Sequence, residues 1–296
     1  MTHKKRMQRW RILKRAVHME LREHRSSFLT YVILRLLVFC VMILQIINKN
    51  YESVFLCLLT LLLMIVPSLL QVTLRIELPT RLEILILVFI FAAEILGEIQ
   101  KFYLVFPFWD TMLHTINGFL AAAIGLSLVE LLNKSKNLTF RLSPFFTVVV
   151  GFCFSMTVGV LWEFFEFGMD MLFSLDMQKD TIIHSISSVM LNPSGENIPS
   201  KISSISEVSI HGKELGLGGY LDIGLLDTMK DLIVNFIGAA VFSFFGYFAI
   251  KRQNPQSALG DFIPRGKSDE RDFLKLAETE QKKRSDKQER AAKSSD

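Results

Sequence analysis

The stretch VGVLWEFFEFGMD, residues 158–170, ends a long apolar run, yet it carries Glu163 and Glu166 one helical turn apart. An apolar run of about 20 residues crosses a hydrocarbon core of about 30 Å as a helix. Working outward from this run, the chain shows five more of similar length. The six predicted spans are residues 28–47, 53–72, 82–104, 110–132, 144–166 and 231–250, linked by short polar segments such as RIELPTR and NKSKNLTFRLSP. Half of the 296 residues are apolar, 25 of them Phe, and the charge is segregated. Nine Lys or Arg fall in the first 25 residues and twelve in the last 46, with long uncharged runs between. That pattern indicates an all-α, polytopic membrane helix bundle rather than a soluble domain of amphipathic helices.

Basic residues set the expected orientation. They are concentrated before the first span, in the 73–81 and 133–144 links, and at Lys251 and Arg252 after the last span. Both termini are therefore expected to be cytoplasmic, with Tyr103, Trp109 and Trp162 in an outer aromatic belt. The organisation reads as a basic interfacial segment 1–27, a membrane domain 28–250 with an outer loop 167–226, and a charged tail 251–296 that is disordered or loosely helical. No cleavable signal peptide is read at the N-terminus. Met7, Trp10, Leu13, Val17 and Leu21 recur at helical spacing against a basic face, which suits anionic lipid headgroups. A basic segment held beside the bilayer meets lipid, not nucleic acid. Cys40, Cys57 and Cys153 lie in apolar runs and read as free, buried thiols. Arg35 reads as snorkelling to the cytoplasmic face. His184 and His211 in the outer loop read as solvated. The glycines of GKELGLGGYLDIG are no phosphate-binding loop, since no Gly-Lys-Ser/Thr follows them.

The glutamates of the opening stretch belong to a wider pattern. Glu94 and Glu98 end span three, four residues apart. Asp110 and His114 begin span four, with Asn117 next on that face, and Asp227, Asp231 and Asn235 lead into span six. Steps of three and four put side chains on one helix face. These four helix ends lie on the same side of the membrane whichever way the chain inserts. A lone acid at mid-membrane costs roughly 2.5–3.5 kcal/mol, so the acids are expected to face protein and to converge. The same faces continue as small residues, Gly118 and Ala122 in span four, Gly151, Ser155 and Gly159 in span five, and Ala239 in span six, which let helix backbones approach. DTMLHTINGFLAAA and DTMKDLIVNFIGAA echo one another, as in a parallel repeat.

Carboxylates and an imidazole on facing helices are the raw material of a metal site. The excess of oxygen donors favours a divalent Mg, Mn or Ca ion. Asp110, His114, Glu163 and Asp231 are the candidate catalytic residues. Asp110, His114, Glu163, Asp227 and Asp231 are the candidate ligands, and Glu166, Asn235, Glu94 and Glu98 complete the polar layer. Three functions remain open on this reading: a metal-dependent hydrolase or transferase or accessory factor of the envelope, a small ion- or proton-coupled transporter, and a structural, partner-binding protein whose polar layer is interhelical glue.

The blocks WDTMLHTINGF, LWEFFEF and GYLDIGLLDTMKDLIVNFIGA resemble the YjdF-like family of uncharacterised bacterial multi-pass membrane proteins, over roughly 80–250. The Asp-x-x-x-His, Glu, Asp-x-x-x-Asn scheme is more distantly similar to VanZ-like proteins, associated with glycopeptide-antibiotic resistance. On that scheme Asp110, His114, Glu163, Asp231 and Asn235 match. The resemblance implies a bacterial plasma-membrane setting and no particular reaction. Glu94, Glu98, the basic N-terminus and the tail lie outside it.

Overall fold

The computed structural model describes residues 3–23, 25–134, 142–251, 262, 265–268 and 270–293. Three long helices form the main body: α7 (Trp109–Lys134), α8 (Pro144–Phe173) and α9 (Leu225–Lys251), each packed on the other two. Their starts follow from local chemistry. Before α8, the Ser143 hydroxyl accepts from the Phe146 amide and Pro144 occupies the first turn, where its missing N–H costs nothing. Before α9, the Asp222 carboxylate accepts from the Leu226 amide at 2.8 Å.

Small residues set how closely α7 and α9 approach. A Cβ on Gly118 would lie 2.1 Å from the Asn235 carbonyl oxygen, and one on Gly238 would lie 2.0 Å from that of Thr115. Where lipid is as apolar as the core, such close backbone contact supplies the packing that the hydrophobic effect does not. Below the contact, Ala122, Ala123, Leu126, Ala239 and Phe242 are fully buried, and Phe242 meets Phe119 edge to face at 4.8 Å.

A second group joins α2 (Arg25–Ile47), α3 (Tyr51–Leu63) and α5 (Thr80–Phe91) around Tyr31, Val38, Cys57, Leu61, Met64 and Leu87. Span two is broken at Met64 and Ile65, then resumes as α4 (Val66–Leu74), with Pro67 in its first turn. α5 continues directly into a π-helix, Ala92–Ile99, which ends where Lys101 takes a left-handed conformation before the short α6 (Phe102–Val105). Among the described residues, five helical stretches, 25–47, 51–74, 109–133, 144–173 and 225–251, are long and apolar enough to cross a membrane. The outward faces of these helices carry Leu36, Leu44, Phe55, Phe164 and Phe244 exposed, as a lipid-facing surface would.

Several sequence expectations change. Cys57 is buried, but Cys40 and Cys153 are exposed on the outward faces of their helices, where hydrocarbon rather than protein is the apolar surrounding. Arg35 has protein partners. Its guanidinium bonds the Tyr31 hydroxyl, lies over that ring at 5.0 Å and donates to the Leu61 carbonyl at 3.4 Å, so its charge is satisfied between α2 and α3. Span five runs on to Phe173 instead of ending at residue 166, which puts Glu163 about 15 Å below the end of its helix. Span six begins at Leu225, before the predicted Asp231, because the Asp222 cap starts the helix early.

Between α8 and α9 the chain forms short strands and turns, with one 3-10 turn at Val189–Leu191. Strand β2 (Thr181–Ile183) pairs with β7 (Tyr220–Asp222) and so brings the two ends of the loop together. Inside it, β3 (Ser185–Ser188) pairs with β4 (Ser200–Ser203), and β5 (Ser209–Ile210) with β6 (Lys213–Glu214). All three pairings are antiparallel.

At the other end, α1 (His3–Leu21) packs on α10 (Phe273–Lys293) and on α4. Ala16, Val72 and Ala277 form the buried centre, with Leu13 and Val17 half-buried, while Met7 and Trp10 stay exposed. Strand β1 (Ile76–Glu77) pairs with β8 (Arg265–Gly266) and ties the tail to the link before α5. Ion pairs Arg15–Glu280, Arg75–Asp272, Arg271–Glu77 and Glu20–Lys267 surround the junction. Residues 252–261 of the tail lie outside the described residues.

Burial pushes the Glu20 carboxyl up to about 7, against the pull of Lys267. A carboxyl raised in the folded state favours that state while protonated. Its contribution is therefore full below the ordinary value near 4.5 and is lost as pH rises through about 7. The docking of α1 on α10 is expected to loosen over that window, read as faster amide exchange in α10. Glu20→Gln should flatten the pH dependence.

Candidate metal centre

His114, in the second turn of α7, is the hub of the polar cluster. Its Nε2 lies 3.4 Å from Asp110 Oδ1 and 3.8 Å from Asp231 Oδ2, and its Nδ1 lies 3.7 Å from Glu163 Oε1. The imidazole thus has α7 and α9 carboxylates off one nitrogen and an α8 carboxylate off the other. Glu166 joins the second side, where its Oε1 accepts from the Trp162 indole at 2.9 Å. Burial is deep: Asp231 is 1 % exposed, Glu163 4 % and His114 7 %.

Below the carboxylates, a layer of amides and small residues holds the helices. Asn117 donates to Asn235 Oδ1 at 3.3 Å, Asn235 donates to the Ser155 carbonyl at 3.5 Å, and the Ser155 hydroxyl donates to the Gly118 carbonyl at 2.8 Å. Asn235 thereby ties three helices together through neutral groups, while the charged groups gather one turn away.

Above them, the segment between α8 and α9 rests on the start of α9. The Lys179 amide donates to Asp227 Oδ2 at 2.7 Å, and the Gln178 side-chain amide donates to the Thr228 hydroxyl. The Asp170 carboxylate at the end of α8 accepts from the Met177 and Gln178 amides, at 2.7 and 2.9 Å. Asp227 therefore serves both the cluster and the closing segment.

The arrangement has a charge imbalance. Five carboxylates, Asp110, Glu163, Glu166, Asp227 and Asp231, face the Lys230 ammonium and one imidazole. Lys230 Nζ lies 3.5 Å from Asp227, 3.8 Å from Asp110 and 3.8 Å from Asp231, with its side chain 43 % exposed. Both Glu163 oxygens and Asp231 Oδ1 are buried without a hydrogen-bond partner. Buried polar atoms are ordinarily satisfied, and an orphaned carboxylate oxygen is costly.

One donor atom from each of Asp110, His114 and Asp231 lies within 4.8 Å of the others, and so do donors from His114, Glu163 and Glu166. Donors around one Mg or Ca ion lie about 3–5 Å apart, from cis to trans, so each set is compact enough to share one ion. An imidazole nitrogen among carboxylates suits Mn or Mg better than a thiolate-seeking metal.

Two predicted members stand apart. Glu94 is half-buried on the π-helix and lines a cavity that also reaches His114, and Glu98 is exposed. Neither is in the donor sets found among the described residues. In the segment between α8 and α9, His184 Nδ1 lies 3.0 Å from the Ile205 carbonyl oxygen, and His211 occupies a left-handed turn position. Lys230 is the member that pattern reading passed over. Its signal is present in DTMKDL, a lysine between two acids at a helix start.

A helical, multi-pass membrane protein with a buried carboxylate–imidazole cluster at one end of its main bundle is the class that this fold and site define. Residues 29–252 match the model of a family described as predicted membrane protein (DUF2238), and the chain belongs to that family. No curated protein and no solved structure shows significant similarity to it.

Proposed function

We propose that the chain is a six-span protein of a bacterial plasma membrane, with both termini cytoplasmic, that holds a divalent ion at the His114 cluster for metal-assisted hydrolysis or group transfer at the outer face of the envelope. The observation that carries this reading is that Glu163 and Asp231 Oδ1, deeply buried beside one imidazole, accept no hydrogen bond and are met only by long ion-pair contacts to His114 and Lys230. Asp110, His114 Nε2 and Asp231 are the ion's ligands. Glu163, on the Nδ1 side, orients the ring and accepts a proton, as carboxylates behind metal-bound histidines do. Asp227 and Lys230 complete the electrostatic balance.

The sixth span is α5 with its π-helical continuation, residues 80–99. Exposed Trp10 and Met7 beside basic residues support contact of α1 with anionic lipid headgroups. The likeness to the YjdF-like and VanZ-like schemes supports the envelope setting. The test is metal analysis of the purified full chain beside a Glu163→Gln/Asp231→Asn double variant. Metal in the parent and none in the variant is expected; equal metal in both, or none in either, refutes the reading.

Lys230 offers a check from the opposite direction. It neutralises the same carboxylates that would hold the ion and is partly exposed, so its competition is modest. Lys230→Met is expected to tighten Mn binding by about fivefold, the equivalent of roughly 1 kcal/mol, in calorimetric titration.

A further inference from the structure

Between α3, the π-helical segment, α7 and α8 lies a cavity of about 430 Å³. Small-molecule sites occupy about 300–1,000 Å³, so it is large enough for a ligand. Its wall is hydrocarbon, from Leu63, Phe89, Ile90, Leu113, Val158 and others, interrupted by Glu94, Tyr103, His114 and Asn117. The cavity is partly open, and Leu161 and Trp162, in its wall on the spanning helix α8, are exposed. The cavity therefore opens sideways, at the level of the spanning helices. His114 belongs to both places: it lines the cavity and is the hub of the carboxylates.

We propose that this cavity takes a hydrocarbon chain of a membrane lipid with a phosphate headgroup, and that the phosphate is bound at the ion held by His114, Asp110 and Asp231. This names the substrate class of the site and rests on the metal reading above. A sideways entrance among spanning helices is reached from the bilayer, so lipids are the molecules that meet it. The apolar wall accepts a chain and gives little to a soluble polar ligand. The carboxylates repel a phosphate by themselves. A divalent ion reverses that sign, and carboxylate-held ions commonly complete their coordination with phosphate oxygens. Glu94 and Asn117 lie in the cavity wall to receive the polar linkage between chain and headgroup.

The test uses the full chain in phosphatidylcholine nanodiscs with Mn. The probe is fluorescent phosphatidic acid, with diacylglycerol as the headless control and glycerol phosphate as the chainless control. Ala93→Phe and Val158→Phe fill the cavity from opposite walls, and Leu63→Trp occludes it from a third helix. Mn binding equal to that of the parent certifies each variant as folded. Phosphatidic acid is expected to bind the parent in a Mn-dependent way and to bind the filled variants about tenfold more weakly, the equivalent of burying one or two fewer methylenes. Equal binding to parent and filled variants overturns the proposal, as does glycerol phosphate binding as tightly as phosphatidic acid. If the parent binds no Mn, the ion reading fails on its own and diacylglycerol decides the cavity: binding weakened by Ala93→Phe sustains the chain site, and unchanged binding overturns it.

Discussion

Asp231→Asn weakens Mn binding by about a hundredfold or more while making the ion-free protein more resistant to heat. Both halves follow from one set of facts. Asp231 is 1 % exposed, its Oδ2 lies 3.8 Å from His114 and its Oδ1 has no hydrogen-bond partner. A ligand of that kind carries more of the affinity than an outer residue, whose loss costs about 10–100-fold. Without an ion, the same carboxylate is a buried charge with unmet acceptor capacity. Replacing it by an isosteric amide relieves about 1–3 kcal/mol of that penalty. Calorimetric titration and thermal denaturation in detergent read the two effects on one preparation. A variant that lost both ion and heat resistance would mean that Asp231 is structural glue. A sites-for-stability exchange is what a functional cluster predicts.

Gly118→Val is expected to collapse the site by separating the helices that carry it. A Cβ at 118 would meet the Asn235 backbone carbonyl at 2.1 Å, and a backbone oxygen has no rotamer with which to move aside. Overpacking of this kind costs typically about 1–3 kcal/mol, and the two extra methyl groups of Val add to it. Because His114 is on α7 and Asp231 on α9, the shift also opens the donor set. Gly238→Val, against the Thr115 carbonyl at 2.0 Å, should behave alike. Gly168→Ala is the control: nothing lies within 4 Å of its Cβ, and a helical alanine in place of glycine is neutral or mildly stabilising. Heat-induced loss of folded protein in detergent ranks the three.

The membrane body was legible because lipid imposes a length and a composition that a reader can count, and because a four-residue step is unambiguous on a helix. Asp110 and His114 are 3.4 Å apart as that step requires, and the Gly118 face that continues from them meets α9. Other features follow from forces that periodicity does not carry. The π-helix at Ala92–Ile99 has the same apolar composition as an α-helix, so nothing in AAEILGEI announces a changed hydrogen-bond register. Arg35 is satisfied by a tyrosine one turn back and by a carbonyl on another helix, a tertiary partner invisible to a snorkelling argument. The Ser-rich segment between α8 and α9 forms strand pairs, one of which brings Thr181 against Asp222 across the loop. Lys230 meets Asp227 and Asp231 on its own helix, and α7 adds Asp110 from outside that stretch of sequence.

Pulsed electron paramagnetic resonance of Mn added to the purified full chain is the most direct measurement. The account predicts one bound ion with nitrogen coupling from a single imidazole, abolished by His114→Ala and by Asp231→Asn but kept in Lys230→Met. A bound ion without imidazole nitrogen coupling, or a signal unchanged in the His114 and Asp231 variants, would contradict it.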